Sequence, residues 1–155
     1  MSSARQELLR LLSTKSFRLG ECKLSSGGTS DYYVDCRATT LDARGAQLTG
    51  QVFIEEIRAR AWNVHAIGGL TMGADPIVVA ISVTSGTIHG FLVRKAEKQH
   101  GTGQRIEGFR EKGARVVETT TPERIVDLCP VRRSGHAREP RPGFFFDVFF
   151  ARTTG

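Results

Sequence analysis

Apolar residues recur along the first two-thirds of the chain with two different periods. Leu8, Leu9, Leu11 and Leu12 form one apolar face after Ser3-Ala4-Arg5-Gln6, whose form is that of a capping box, so a helix is predicted to start at Ser3. The stretch "FRLGECKLSSGGTSDYYVDCR" from Phe17 predicts two short strands around a Ser/Gly turn. Asp42 is placed to cap a second helix through Arg60, in which Leu48, Val52, Phe53 and Ile57 share a face. Val64 to Ile67 reads as a short buried strand followed by a glycine-rich turn. Asp75 then stands at an N-cap with Pro76 at the first helical position, the apolar run reaches Val83, Gly86 ends the helix, and Ile88 to Val93 is a strand. Strand, helix and strand within so short a span make a βαβ unit with parallel strands. "GARVV" at 113–117 adds a third parallel strand. The fold class is therefore α/β, with ligands expected at the carboxyl ends of the strands. Trp62 and Phe53 are expected in the core, and His65 and His89 are expected as core histidines with satisfied ring nitrogens.

The alternation stops after Val117. "PVRRSGHAREPRPG" carries three of the five prolines and four arginines without periodicity, and "FFFDVFF" crowds five of the nine phenylalanines into seven residues. The expected organisation is a domain over 1–117 and an atypical tail over 118–155.

Charge adds a partner class. The formal net charge is +6, and residues 94–141 hold 12 Lys/Arg against 7 Asp/Glu. Such a balance suits a polyanion: phosphates on a small molecule, or nucleic acid. Cys22, Cys36 and Cys129 have no metal-ligand spacing, and an odd number of scattered thiols fits a reducing compartment. No stretch approaches the roughly 20 apolar residues of a membrane span, and the amphipathic N-terminus lacks the apolar core of a signal peptide. A cytoplasmic protein with no membrane partner is expected.

Two stretches could carry chemistry. In "GGLTMGAD", Gly68, Gly69 and Gly73 lie between a strand and a helix start, where backbone N–H groups can meet an anion. A tight turn that needs glycine only for its geometry is the alternative. In "RKAEKQHGTGQ", Arg94, Lys95, Lys98 and His100 follow a strand on a glycine-bearing loop that runs to Gly108. Such a loop could close over a ligand and neutralise a departing anion, or simply be a solvated basic loop.

A resemblance bears on that choice. "KLSSGGTSDYYVDCR", "AIGGLTMGADPI", "GFLVRKAEKQHGTGQRIEG" and "KGARVV" occur in the order and spacing of orotate phosphoribosyltransferase, and residues 17–117 resemble that family. The resemblance implies a type I phosphoribosyltransferase-like α/β fold: a parallel sheet flanked by helices, with an N-terminal helix and a hairpin hood. It implies transfer of ribose 5-phosphate from 5-phosphoribosyl-1-pyrophosphate to orotate, giving orotidine 5′-monophosphate and pyrophosphate, with Mg²⁺ bound mainly through the substrate. Lys98 and His100 would be catalytic, with Lys98 stabilising charge on the leaving pyrophosphate. Arg94, Lys95, Lys98, His100, Thr71, Met72, Gly73 and Ser25 would bind phosphoribosyl pyrophosphate, and Tyr33 would bind orotate. Some family members carry lysine where Met72 stands. The family's loop closes over the neighbouring subunit, so a homodimer is implied in which loop 94–108 reaches the partner's site; nucleic acid is not an implied partner.

The family continues after "ARVV" with two adjacent acids and a Thr/Gly-rich loop that holds the 5′-phosphate. Here "VVETTTPERIVDLC" offers Glu118 for one acid and Thr119, Thr120 and Thr121 for the threonines; the second acid and the glycine are missing, and Pro122 arrives early. A diverged end that still cradles phosphate is one reading. A reading frame lost near Glu118, leaving the sheet incomplete at its C-terminal side, is the favoured one. A non-catalytic nucleotide- or RNA-binding protein and an inactive dimerisation partner on the same fold are the rival functions.

Overall fold

The computed structural model describes residues 2–23, 28–94 and 105–119, together with the backbone of 151–154. Helix α1 (Ser3–Leu11) is capped by Ser2, one residue before the cap expected from the sequence. The Ser2 hydroxyl oxygen accepts from the Arg5 N–H at 3.3 Å and donates to Glu55 Oε2 at 2.6 Å, so one side chain both ends the helix and docks it. Leu8 and Leu12 are buried from this segment. A π-helical turn (Leu12–Ser16) leads into the hairpin of β1 (Phe17–Lys23) and β2 (Thr29–Val34), which are antiparallel as expected.

A short helix, α2 (Arg37–Thr40), precedes α3 (Ala43–Ala59). Asp42 caps α3 as the sequence predicts, its carboxylate accepting from the N–H groups of Arg44 (3.1 Å) and Gly45 (2.9 Å). The predicted face is the buried one: Leu48, Val52, Phe53 and Ile57 are all at most 5% exposed. Truncating a ring as buried as Phe53 typically costs about 3–5 kcal/mol.

The larger sheet has the order β5-β4-β3-β6-β7. Its centre is parallel: β3 (Ala66–Leu70) between β4 (His89–Val93) and β6 (Val116–Thr119), with α4 (Asp75–Ser85) crossing from β3 to β4. The βαβ unit and the third parallel strand are thus present. Two antiparallel strands flank them, β5 (Ile106–Gly108) against β4 and β7 (Ala151–Thr154) against β6. Helix α4 packs on β3 and β4, α3 packs on α4, and α1 packs on α3. The core lies between the sheet and this helical layer, where Ile67, Ile77, Ile81 and Val117 meet.

Several boundaries differ from the sequence expectation. Strand β3 runs Ala66–Leu70 rather than Val64–Ile67, so Gly68 and Gly69 belong to the strand and not to the turn. They are glycine because neighbours fill their space: a β-carbon on Gly68 would collide with the Phe91 ring, and one on Gly69 with Thr119 and Ala74. The cap of α4 is Ala74, with no side-chain cap bond; Asp75 is the first helical residue. Gly86 ends α4 in the left-handed region, φ 66°, as expected. Strand β6 lies two to three residues later than 113–117.

Neither histidine is in the core. His65 is exposed at the bend before β3, and its Nδ1 accepts from the Arg115 N–H at 3.1 Å. His89 is exposed and stacks on Phe109 with ring centroids 4.8 Å apart. Phe53 is core; Trp62 is partly buried against the core, with the Arg60 guanidinium 5.0 Å from its ring centroid. Cys22 and Cys36 are free thiols, and Cys129 lies outside the described residues. Among the described residues no helix is long and apolar enough to cross a membrane.

Candidate functional site

The three parallel strands end together. Leu70 pairs with Val93, and Gly69 pairs with Thr119, so the chain leaves β3, β4 and β6 at one edge of the sheet. The segment after β3 turns at once into α4. Its turn, 71–74, is fixed at both ends: the Thr71 N–H donates to the Val93 carbonyl at 3.0 Å and the Ala74 N–H to the Leu70 carbonyl at 3.1 Å. The first of these bonds places Thr71 directly beside the exit of β4, where Arg94 begins. Thr71 and Gly73 are half-buried, whereas Met72 is 72% exposed. The peptide between Thr71 and Met72 is cis.

The first residue of α4 adds an acid to this edge. Asp75 Oδ1 is buried, with no hydrogen-bond partner among the described residues. Burial raises the Asp75 carboxyl above its ordinary range, partly opposed by its own backbone N–H. The N-terminal end of α4 lies at the same edge, and the positive end of its dipole favours anions.

The segment after β4 returns as β5. Phe91 pairs with Gly108, Leu92 with Glu107 and Val93 with Ile106, and the Arg94 N–H donates to the Arg105 carbonyl at 2.8 Å. The expected loop 94–108 is therefore a hairpin whose two legs are hydrogen-bonded, with 95–104 as the connection between them. The Arg94 guanidinium faces Glu107, Nε to Oε1 3.9 Å. Sequence reasoning missed β5; the alternation in "RIEG" is the signal that could have found it. The basic residues Lys95, Lys98 and His100 lie in the connection and outside the described residues.

Glu118 lies in β6 opposite Gly68 and is exposed. Thr119 next to it is buried, and its hydroxyl donates to the Gly68 carbonyl at 3.2 Å, so this threonine is a strand-to-strand tie. Tyr33 lies in the β1–β2 hairpin, 44% exposed and paired with Arg18. Ser25, in the turn of that hairpin, and Thr120, Thr121 and Pro122 lie outside the described residues. Thr71, Met72, Gly73, Arg94 and Glu118 are thus collected on strand ends or the turn of one sheet, while Tyr33 belongs to the separate hairpin.

Among the described residues no group of three or more His, Cys, Asp or Glu side chains is gathered to hold a metal. Asp75 and Glu118 carry carboxylate oxygens, the donor type that a hard cation takes.

Comparison with known proteins agrees with this geometry. The chain is 46% identical over 112 residues to an orotate phosphoribosyltransferase of Thermosynechococcus vestitus, covering 70% of this chain and 58% of the relative. It is 42% identical over 144 residues to that of Streptomyces coelicolor, covering 87% of this chain and 78% of the relative, a likeness that extends past residue 117. The crystal structure of Mycobacterium tuberculosis orotate phosphoribosyltransferase with Fe(III) dicitrate superposes with a TM-score of 0.63 at 41% identity, covering 74% of this chain and 65% of that one. The same enzyme solved with 5-phospho-α-D-ribosyl 1-diphosphate superposes with a TM-score of 0.59 at 37% identity, over 74% of this chain and 62% of that one. No family model matches the chain. The chain spans less than two-thirds of the Thermosynechococcus relative's length. With the parallel sheet, its flanking helices and the 42% identity across most of the Streptomyces relative, the chain belongs to the orotate phosphoribosyltransferase family.

Proposed function

We propose that the chain transfers ribose 5-phosphate from phosphoribosyl pyrophosphate to orotate, releasing pyrophosphate and orotidine 5′-monophosphate for UMP biosynthesis in the cytoplasm. The observation that carries the reading is the bond between the Thr71 N–H and the Val93 carbonyl. It joins the turn after β3 to the start of the basic hairpin, so two anion-binding segments share one edge.

In this reaction the bond from the ribose C1 to the pyrophosphate oxygen breaks, and its electrons leave with pyrophosphate. A bond then forms between C1 and a ring nitrogen of orotate, whose proton is released to solvent. The protein has little covalent work to do; it must position two substrates, neutralise the departing charge and exclude water. Thr71 offers its side-chain hydroxyl and Gly73 a backbone N–H group, and Arg94 offers a guanidinium suited to phosphate oxygens. Lys95, Lys98 and His100 supply further positive charge. A cation roughly 4 Å from an anion contributes about 4 kcal/mol at the effective dielectric of a protein surface. Glu118 is the candidate acid for the ribose hydroxyls, and Ser25 and Tyr33 of the hairpin serve the phosphoribosyl and orotate sides. Mg²⁺, when bound, offsets diphosphate charge and takes most of its oxygen ligands from the substrate. A homodimer, in which the 94–108 hairpin also reaches the neighbouring subunit's site, completes the reading.

The test is turnover. The full chain is mixed with orotate, phosphoribosyl pyrophosphate and Mg²⁺, and loss of orotate absorbance is followed. The reading expects turnover that drops at least a hundredfold in Lys98→Ala. A folded chain that leaves orotate unconsumed would overturn it, as would full activity in Lys98→Ala.

A further inference from the structure

We infer that Arg105, together with Arg94, forms a two-arginine clamp for a diphosphate at the root of the β4–β5 hairpin. The inference deepens the proposed function, since it assigns a further residue to the leaving-group side of the same edge.

The register makes the pair. Leu92 opposes Glu107 and Val93 opposes Ile106, so Arg94 opposes Arg105, and the Arg94 N–H bonds the Arg105 carbonyl at 2.8 Å. Residues directly opposite in an antiparallel pair have α-carbons about 5.5 Å apart when hydrogen-bonded, and their side chains leave on the same face. The side chains of Arg94 and Arg105 thus leave the ladder on one face. Glu107 lies diagonally on that face and pairs with Arg94 at 3.9 Å. Arg105 is exposed, and its side chain makes no hydrogen bond or ion pair with the described residues.

Like charges directly opposite one another destabilise a strand pair. An arrangement that keeps them there, at a ligand edge, is relieved by an anion that bridges both. A diphosphate has the size and charge to do so, and each planar guanidinium can offer two parallel N–H donors to its oxygens. The position also agrees with the bond from the Thr71 N–H to the Val93 carbonyl, which puts the 71–74 turn next to Arg94. The clamp stands on the hydrogen-bonded legs of the hairpin.

The test is calorimetric titration of the full chain with inorganic pyrophosphate in the presence of Mg²⁺. The variants are Arg94→Ala, Arg105→Ala, Arg105→Lys and the double alanine variant. Each single alanine substitution is expected to weaken binding about tenfold. Arg105→Lys should recover part of that loss, because it restores charge but not the planar fork. The double variant should lose less than the product of the two single losses, because the two arginines act through one shared anion. Unchanged affinity in Arg105→Ala would overturn the clamp, as would single losses that multiply, or a parent chain that does not bind pyrophosphate. Orotate turnover measured in parallel separates the two readings. A chain that binds pyrophosphate through both arginines but consumes no orotate keeps the clamp and loses the proposed reaction. Turnover with unchanged pyrophosphate affinity in Arg105→Ala keeps the reaction and loses the clamp.

Discussion

Thr119 occupies the room that a side chain on Gly69 would need. A β-carbon at Gly69 would stand 2.5 Å from Thr119 Oγ1, 2.7 Å from the Thr119 carbonyl oxygen and 2.7 Å from the Ala74 β-carbon. Two of these atoms belong to the backbone or to a β-carbon and cannot swing aside. Gly69→Ala should therefore push β3 away from β6 and from the start of α4. Overpacking of a rigid site costs about 1–3 kcal/mol, and the cost here should fall at the upper end of that range. Urea denaturation of the variant against the parent measures it; an unchanged midpoint and slope would show that the strands can part without strain.

Met72 offers the opposite case, a position with space around its side chain. It is 72% exposed on the turn that adjoins Arg94. Met72→Lys should leave the denaturation midpoint within the small range of surface substitutions. It should tighten binding of inorganic pyrophosphate about fivefold at low ionic strength, with the gain shrinking as salt is added, since exposed charges are screened beyond about 10 Å at 0.1 M. An equal affinity at low salt would mean that the 71–74 turn does not face the anion.

The elements with a strong period were legible from the sequence, and those set by packing or pairing were not. Asp42, Leu48, Val52, Phe53 and Ile57 announce α3 because capping and burial act within one helix. The βαβ order followed from Pro76, the apolar run and Gly86 for the same reason. Gly68 and Gly69 were misplaced into a turn because the atoms that require glycine there, in Phe91 and Thr119, are distant in sequence. Strand β5 was missed because the alternation in "RIEG" is only a few residues long, and the strand depends on pairing with β4. His65 was assigned to the core because its partner, Arg115, lies fifty residues away. At the site, the resemblance supplied the expected roles of Arg94 and the 71–73 turn. The pairing of Arg94 with Arg105 needed the register.

Asp42 couples the start of α3 to pH. Its carboxyl is held below the ordinary value by the Lys15 ammonium, and further by the N–H groups of Gly45 and Arg44, against the effect of burial. The unfolded chain therefore takes up this proton first, near the usual value of about 3.9. The stabilisation from Asp42 is fully present above that pH and is lost as pH falls through the lower folded value. Asp42→Asn should keep most of the cap and lose this acid dependence, whereas Asp42→Ala should lose both. Thermal denaturation of the three chains between pH 3 and pH 6 (a range of about three units around the carboxylate value) reads the difference. Parallel pH profiles for parent and Asp42→Asn would remove the assigned role.

Cys36 acts at the other end of the pH scale. It is 1% exposed, and burial, with a smaller effect from the Asp35 carboxylate, pushes its thiol up to about 12. An unfolded cysteine ionises near pH 8.5. Between these values the unfolded chain gives up a proton that the folded chain keeps, so stability is intact below the unfolded value and declines as pH rises towards the folded one. The slope contributed by this one thiol approaches about 1.4 kcal/mol per pH unit. Alkylation of the native chain near neutral pH, followed by peptide mapping, should find Cys22 modified well before Cys36, since the thiolate is the reactive form. Denaturant melts of parent and Cys36→Ala at successive alkaline pH values should converge as pH rises, because the variant lacks the titrating thiol. Labelling of Cys36 at the rate of Cys22 in the folded chain, or a constant gap between the two melts, would contradict a thiol sealed in the core.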